Sequence, residues 1–222
     1  MKKIKNIVFD YDGVILNSVE IKNDAFKELV KNYNDQVKKK FVKFHLENLG
    51  VSRYKKFEFL TNILLKKKSN NNYEKIIKKF ENILKRNLKK ATLINGVRSF
   101  LRKNKDLNLF ISSGTPENEL KKNCKQKKIT NFFIEILGSP KTKKQHILYL
   151  KKKYKIKKND KLFFGDSFTD YDAANKYKLN FIQVGNNLKN IKIKLKIKDF
   201  NDKRLSSMSK FFTNNQLDGK LF

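Results

Sequence analysis

Short apolar segments alternate with segments of helical periodicity along the second half of the chain. Strand-like runs cover residues 107–111, 133–137, 162–164, 180–184 and 193–197, and the stretches between them have the spacing of helices. A similar run over residues 4–9 ends at Asp10-Tyr11-Asp12-Gly13. Strands that alternate with helices through short links predict an α/β fold with a doubly wound parallel sheet. Such sheets bind ligands beyond the carboxyl ends of their strands.

The segment between the first two predicted strands has a purely helical pattern. Its apolar residues recur at helical spacing in three stripes: Ile21, Ala25, Leu29 and Tyr33; Phe57, Leu60 and Leu64; and Ile76, Phe80 and Leu84. The polar run Ser69-Asn70-Asn71-Asn72 predicts a break between two of its helices. We therefore predict a core made of residues 1–16 and 94–222, with an inserted helical cap over residues 17–93.

The chain is strongly basic, with 53 Lys and Arg against 21 Asp and Glu and a formal net charge of +32. Such an excess raises the possibility of nucleic-acid binding, but arginine, which is favoured for bidentate phosphate contacts, is scarce. The arginines are Arg53, Arg86, Arg98, Arg102 and Arg204. Because the lysines are spread along the whole chain, we expect a solvated lysine surface and consider nucleic acid an unlikely partner.

The remaining composition favours a cytoplasmic protein. A single cysteine, Cys124, cannot form an internal disulfide, which is typical of a reducing compartment. We expect Cys124 to be a buried small hydrophobic residue. The sequence has no apolar run of the length that a signal peptide or a membrane span requires, so no membrane contact is expected. Nothing in it indicates the oligomeric state.

Polar side chains follow three of the predicted strands. They are Asp10 and Asp12, Ser112 and Ser113, and Asp166 and Asp170, with Lys141 and Lys143 nearby. If the strands are parallel, these groups meet at one edge of the sheet. Crowded carboxylates repel one another unless a cation neutralises them, and oxygen ligands suit Mg²⁺. A metal, a carboxylate, a hydroxyl and a lysine are the groups that phosphoryl transfer requires, so this pattern predicts a Mg²⁺-dependent phosphoryl-transfer site.

Four segments in order resemble the motifs of the haloacid dehalogenase superfamily. They are Ile7-Val8-Phe9-Asp10-Tyr11-Asp12-Gly13, Phe110-Ile111-Ser112-Ser113-Gly114-Thr115-Pro116, Gly138-Ser139-Pro140-Lys141-Thr142-Lys143 and Gly165-Asp166-Ser167-Phe168-Thr169-Asp170. The resemblance extends from the first strand to Asp170. The helical segment between the first two motifs is similar to the cap of phosphoglycolate phosphatases and β-phosphoglucomutases. The resemblance implies a phosphatase that acts on a small phosphorylated metabolite, such as phosphoglycolate or a sugar phosphate.

The same resemblance implies catalytic roles for individual residues. Asp10 would be the nucleophile that forms an aspartyl phosphate. Asp12 would protonate the leaving oxygen and then take a proton from the attacking water. Ser113 and backbone amides near Gly114 would bind the phosphoryl oxygens, together with Lys143.

The resemblance also implies a metal site. Asp10, Asp166 and the backbone carbonyl of Asp12 would ligate Mg²⁺, and Asp170 would hold a metal-bound water or orient the lysine. Two choices stay open from the residues alone: Ser112 is an alternative to Ser113, and Lys141 is an alternative to Lys143. Thr115 is expected to cap the helix that follows, with Pro116 in the first turn. His45 and His146 are expected to be structural.

One segment of the predicted cap, around Gly50, resembles the loop that reaches over the active site of these enzymes and recognises the substrate. Arg53 and Lys56 are the candidate substrate-binding residues in it, and an ordinary exposed turn is the alternative. Both residues could hold the second phosphate that a phosphosugar mutase requires, so a mutase is the second enzymatic candidate. The weakest candidate is a basic nucleic-acid-binding protein on an inactive core. Residues 201–222 are expected to form a docking helix or a tail, and Phe211-Phe212 favours docking.

Overall fold

The computed structural model describes residues 4–66, 70–157, 161–188 and 191–207. The expectation of a docking segment around Phe211-Phe212 lies outside these residues. Of the helices in the described part of the chain, none combines the length and the apolar character needed to cross a bilayer.

In the part of the chain that the structure describes, six parallel strands form one sheet in the order β3-β2-β1-β4-β5-β6. The strands are β1 (Asn6–Phe9), β2 (Asn108–Pro116), β3 (Glu135–Ser139), β4 (Lys161–Gly165), β5 (Asn180–Val184) and β6 (Leu195–Ile197). From β1 the chain first adds β2 and β3 on one side and then β4, β5 and β6 on the other side. All four residues of β1 are buried, as expected for a central strand that helices cover on both faces. The predicted doubly wound parallel α/β fold is confirmed.

Among the described residues from Val19 to Leu88, the chain forms four α-helices and a short π-helix. They are α1 (Val19–Leu29), α2 (Asp35–Glu47), α3 (Arg53–Glu58), the π-helix Phe59–Leu64 and α4 (Asn70–Leu88). The predicted stripes supply the centre of their shared core, where Ala25, Leu29, Phe57, Phe80 and Leu84 are buried. The predicted break over residues 69–72 is wrong from Asn70 onward, because α4 begins at that residue.

Four further helices cover the sheet: α5 (Val97–Lys103), α6 (Glu117–Gln126), α7 (Lys143–Lys153) and α8 (Phe168–Lys176). One apolar cluster, around Phe9 and Phe164, lies on one face of the sheet, and a second, around Val8 and Phe163, lies on the other. Neighbouring residues of a strand point to opposite faces, so each of these two strands contributes to both clusters. Cys124 lies fully buried in the first cluster, as predicted.

The predicted cap at Thr115 is wrong. Strand β2 continues through Thr115 to Pro116, which occupies the N-cap position of α6. Because Thr115 is still in the strand, its side chain is free to enter the site at the carboxyl edge of the sheet.

Candidate active site

Three carboxylates gather at the carboxyl edge of the sheet. Asp10 follows β1, Asp166 follows β4, and Asp170 lies in the first turn of α8. One carboxylate oxygen of each lies within 4.8 Å of the others, and all three residues are buried. Parallel strands bring these distant residues together, as their sequence positions predicted.

Buried carboxylates in such a cluster hold their protons strongly. Burial, and after it the charge of Asp170, raises the pKa of Asp10 well above its ordinary value, although Lys143 opposes the shift. Burial and the same neighbour raise the pKa of Asp166 to about 7. Among the described residues, the buried Asp10 Oδ1 has no hydrogen-bond partner. An unpartnered carboxylate oxygen beside two further carboxylates fits a hard divalent cation such as Mg²⁺.

Lys143, rather than Lys141, lies among the carboxylates. Its Nζ is 2.6 Å from Asp170 Oδ1 and 3.1 Å from Asp10 Oδ2. Burial alone would lower the pKa of Lys143, but the two carboxylates raise it above its ordinary value, so the ammonium stays charged. Lys143 is the first residue of α7, which Thr142 caps, whereas Lys141 precedes the cap and is exposed. The geometry therefore favours Lys143 as the phosphate ligand.

The two serines of β2 point to opposite sides of the sheet. Ser112 Oγ is 2.9 Å from Nδ1 of the buried His146, whose Nε2 is 3.1 Å from the Gly138 carbonyl oxygen. Ser113 lines the cleft above Asp10 and accepts a hydrogen bond from the backbone N–H of Thr115. The alternation of side chains along a strand thus favours Ser113, and His146 makes contacts that hold β2, β3 and α7 together.

The side chain of Asp12 has its partners outside the carboxylate cluster, in and before α1 and in β2. Its carboxylate accepts hydrogen bonds from Ser18 Oγ at 2.6 Å, Lys22 Nζ at 2.5 Å and Thr115 Oγ1 at 2.9 Å. Although burial raises the pKa of Asp12, the charge and hydrogen bond of Lys22, with the hydrogen bonds of Ser18 and Thr115, lower it below its usual value. The side chain therefore pairs with a lysine; the expected metal contact of Asp12 concerns its backbone carbonyl only.

Sequence reasoning missed Lys22 and Thr115 as site residues. Lys22 lies on α1 and also donates to Thr115 Oγ1 at 2.8 Å, so it joins the helical segment to the turn after β1 and to β2. The periodicity of α1 assigned residues only to an apolar or a polar face. A lysine on a polar face has no feature of its own that separates it from the many solvated lysines of this chain.

The loop between α2 and α3 touches the core at Gly50. A Cβ placed on Gly50 would lie 2.5 Å from Ser167 Oγ and would also overlap Thr169 Oγ1. A Cβ placed on Gly114 would lie 2.6 Å from the Gly50 carbonyl oxygen. The predicted substrate-recognition loop therefore lies against the second and fourth motifs, and contact at this distance requires glycine on both sides.

The two predicted substrate-binding cations of the cap have different partners. Arg53 donates two hydrogen bonds, at 2.7 and 2.8 Å, to the carboxylate of Glu119 in α6. Lys56 Nζ is 2.9 Å from Nδ1 of His45. Both cations line the cleft, but the guanidinium of Arg53 already has a carboxylate partner.

A cleft of about 620 Å³, including the solvent at its mouth, separates the carboxylates from the helical segment. On the core side it is lined by Asp10, Asp12, Ser113, Gly114, Thr115 and Asp166. On the other side, α1 to α4 and their loops supply Lys22, Asn23, Phe26, His45, Arg53, Lys56 and Phe80, among others.

The family model of the haloacid dehalogenase-like hydrolases matches residues 7–184. A comparison with curated protein sequences gave no match.

Many solved structures share the architecture of this chain. A β-phosphoglucomutase from Clostridium difficile superposes with a TM-score of 0.73 at 19% identity, covering 95% of this chain and 98% of that one. A predicted phosphoglycolate phosphatase from Haemophilus somnus gives 0.72 at 19% identity, covering 93% and 99%. A hydrolase from Bacillus subtilis, described as bound to magnesium and as revealing interdomain movement, gives 0.70 at 16% identity, covering 94% and 100%. At these identities the likeness establishes the shared fold.

Proposed function

The chain belongs to the haloacid dehalogenase-like hydrolases, and from that premise we propose that it hydrolyses a small phosphomonoester through an aspartyl-phosphate intermediate. The observation that carries the proposal is the position of Asp10, which lies in one buried cluster with Asp166, Asp170 and Lys143. The second aspartate of the motif, Asp12, supports phosphoester chemistry, because the relatives that cleave carbon–halogen bonds lack it.

The reaction would proceed in two displacements at phosphorus. In the first, a carboxylate oxygen of Asp10 attacks, the ester bond breaks, and the leaving oxygen takes a proton from Asp12. In the second, water attacks the aspartyl phosphate and gives its proton to Asp12, which releases inorganic phosphate and restores Asp10. Lys143 and Ser113 would hold the phosphoryl oxygens. Lys22 keeps Asp12 ionised in the described conformation. For Asp12 to be protonated and act as the acid, Lys22 would have to move from Asp12 to the substrate.

Asp10, Asp166 and Asp170, with the backbone carbonyl of Asp12, are the residues that would hold Mg²⁺. The bound ion would neutralise the carboxylate cluster and the charge that develops on the transferred phosphoryl group. The unpartnered Asp10 Oδ1 supports a cation at this position. The magnesium bound to the Bacillus subtilis relative agrees with the choice of metal.

Below pH 7, Mg²⁺ binding is expected to weaken about tenfold per pH unit for each proton that the ion displaces. The reason is that a cation must displace protons from Asp10 and Asp166, whose pKa values are raised in the metal-free protein. Isothermal titration with Mg²⁺ at several pH values, in buffers of different ionisation enthalpy, measures both the affinity and the released protons. An affinity that is the same at pH 5.5 and pH 8 would contradict the assignment, and Asp166→Asn is expected to lose most of the binding.

The function is tested by phosphate release from a panel of phosphomonoesters, with Mg²⁺ and with a chelator. We expect metal-dependent release from at least one of phosphoglycolate, a hexose phosphate, a nucleoside monophosphate and an aryl phosphate. If no member releases phosphate, the hydrolase proposal fails for this substrate class. The mutase candidate then predicts conversion between sugar phosphate isomers when a bisphosphate primer is supplied.

Two cations of the cap, Arg53 and Lys56, both line the cleft. This observation favours a mutase as the second candidate. We prefer the phosphatase because Arg53 is already neutralised by Glu119 in the described conformation. The buried carboxylate cluster disfavours a polyanion such as nucleic acid, since it would repel the phosphates.

The division into a core of residues 1–16 and 94–222 and a cap of residues 17–93 is part of the same proposal. The separate apolar cluster within α1 to α4 supports it. Cap opening would admit the substrate, and closure would exclude bulk water while Asp10 is phosphorylated. We place the protein in the cytoplasm on the basis of its single, buried Cys124.

A further inference from the structure

Lys56 is a buried cation without a carboxylate partner. The residue is only 3% exposed, and among the described residues no carboxylate oxygen lies within ion-pair distance of its Nζ. Its Nζ lies 2.9 Å from Nδ1 of His45 and 4.9 Å from the centroid of the Phe26 ring, over the face of that ring. A charge that is removed from water is costly unless an opposite charge compensates it. Among the described residues, the charge of Asp12 acts on Lys56 only from beyond ion-pair distance, so Lys56 has no directly paired anion.

The other cations that line the cleft are paired. Lys22 forms an ion pair with Asp12, and Arg53 forms a bidentate pair with Glu119. Lys56 is thus the cleft-lining cation in the described part of the chain whose charge remains to be balanced. Burial, with the neighbouring charges of Lys22, Arg53 and Lys143, lowers the pKa of Lys56 to about 7, while Asp12 opposes this shift. An anion next to Lys56 would stabilise its charged form.

A chain of hydrogen bonds fixes the position of the Lys56 ammonium. Burial, with Lys56 and Lys22, lowers the pKa of His45 to about 3, so the ring is neutral. Its Nε2 lies 2.8 Å from Asn23 Oδ1, an acceptor, which places the ring proton on Nε2. Nδ1 is then free to accept from Lys56, and the other N–H bonds of the ammonium remain available to a ligand. Both His45 and Asn23 also line the cleft, so they act as positioning residues.

We propose that Lys56 binds a second anionic group on the substrate, so that the substrate is a phosphomonoester whose leaving group carries a carboxylate or another phosphate. The inference rests on the proposed phosphatase function. The transferred phosphate has its own ligands on the core, at Ser113 and Lys143, whereas Lys56 lies on α3 of the cap. A cation on the cap faces the leaving group of the substrate, on the far side of the ester oxygen from the transferred phosphate. Neutral sugar monophosphates are then the poorer substrates.

The test compares matched pairs of phosphomonoesters with the wild type and Lys56→Met. Phosphoglycolate and 2-hydroxyethyl phosphate differ in a carboxylate, and a hexose 1,6-bisphosphate and the hexose 6-phosphate differ in a phosphate. We expect the wild type to prefer the anionic member of at least one pair by about tenfold or more in kcat/KM, and Lys56→Met to lose that preference. The favoured pair identifies the anion. Equal loss on both members of each pair would overturn the proposal.

A matched control and a second variant separate binding from folding. Lys55 is exposed on the same helix, so Lys55→Met is expected to keep the wild-type preference. Lys56→Gln retains a hydrogen-bond donor for His45 while it removes the charge, and it is used if Lys56→Met unfolds below the assay temperature. If Lys56→Gln keeps the full preference, the charge of Lys56 does not select the substrate.

A binding measurement that does not depend on turnover distinguishes this inference from the function on which it rests. In the presence of Mg²⁺, phosphonoacetate is expected to bind the wild type at least about tenfold more tightly than propylphosphonate, and Lys56→Met is expected to remove the difference. Selective binding without phosphate release from any ester would contradict the proposed phosphatase but support the anion subsite. Phosphate release without any discrimination would contradict the subsite alone.

Discussion

Replacing Asp10 with Asn is expected to reduce phosphate release by at least about 10⁴-fold. An amide is a poor nucleophile toward phosphorus, and it removes one of the three oxygens that cluster within 4.8 Å. The thermal midpoint of the metal-free protein is not expected to fall, because Asp166 and Asp170 lose a neighbouring negative charge. Lys143 keeps its contact with Asp170 at 2.6 Å. Kinetic assays and thermal unfolding of the same preparations measure both effects.

The control for this variant is Asp172→Asn. Asp172 is a half-exposed carboxylate on α8 that pairs with Lys144 at 2.5 Å, so its loss removes a surface ion pair close in sequence to Asp170. We expect its activity to stay within about twofold of the wild type. If Asp10→Asn releases phosphate as fast as the wild type, Asp10 is not the nucleophile and the site assignment is wrong.

The second large effect is expected from Gly50→Ala, which should lower kcat/KM by about 100-fold. Its Cβ would lie 2.5 Å from Ser167 Oγ and 3.3 Å from Lys143 Nζ. The hydroxyl of Ser167 cannot easily turn away, because it donates to Asp170 Oδ2 at 2.5 Å. The loop would have to withdraw from the core, which opens the cleft to bulk water and weakens the hold on the substrate. Steady-state kinetics on the best substrate of the panel measures this loss.

Gly185→Ala is the matched control for the backbone part of this effect. Gly50 and Gly185 both have a left-handed backbone, with φ of 78° and 72°. A Cβ on Gly185 would meet no atom within 4 Å. Both variants are therefore expected to lose about 1–2 kcal/mol of folding stability from strain, whereas only Gly50→Ala should lose activity. Equal activity losses would show that strain, and not contact between the loop and the core, causes the effect.

The sequence predicted the chemistry at the carboxyl edge of the sheet more fully than it predicted the cap. Two aspartates follow strand β1, and the parallel order of β1, β2 and β4 follows from alternating strands and helices. This was enough to bring Asp10, Asp166 and Asp170 to one place, whereas the choice of Ser113 over Ser112 and of Lys143 over Lys141 came from the structure. Helix boundaries were less certain: α4 begins inside the predicted polar break, and β2 runs through the residue predicted to cap α6. Local propensity is weak at such positions, and tertiary packing decides where an element begins or ends.

Strand pattern and motif order by themselves determined the fold class and the residues that meet at the strand ends, because both depend on local periodicity and on the handedness of the connections. The tertiary structure alone showed that Lys22 pairs with Asp12 and that Glu119 neutralises Arg53. It alone showed that Lys56 is buried without an ion-pair partner among the residues that the structure describes. In a chain with so many lysines, the identity of a residue does not distinguish a solvated cation from a buried one. The energy of a charge depends on its burial and on its partners, and these come from residues far apart in the chain.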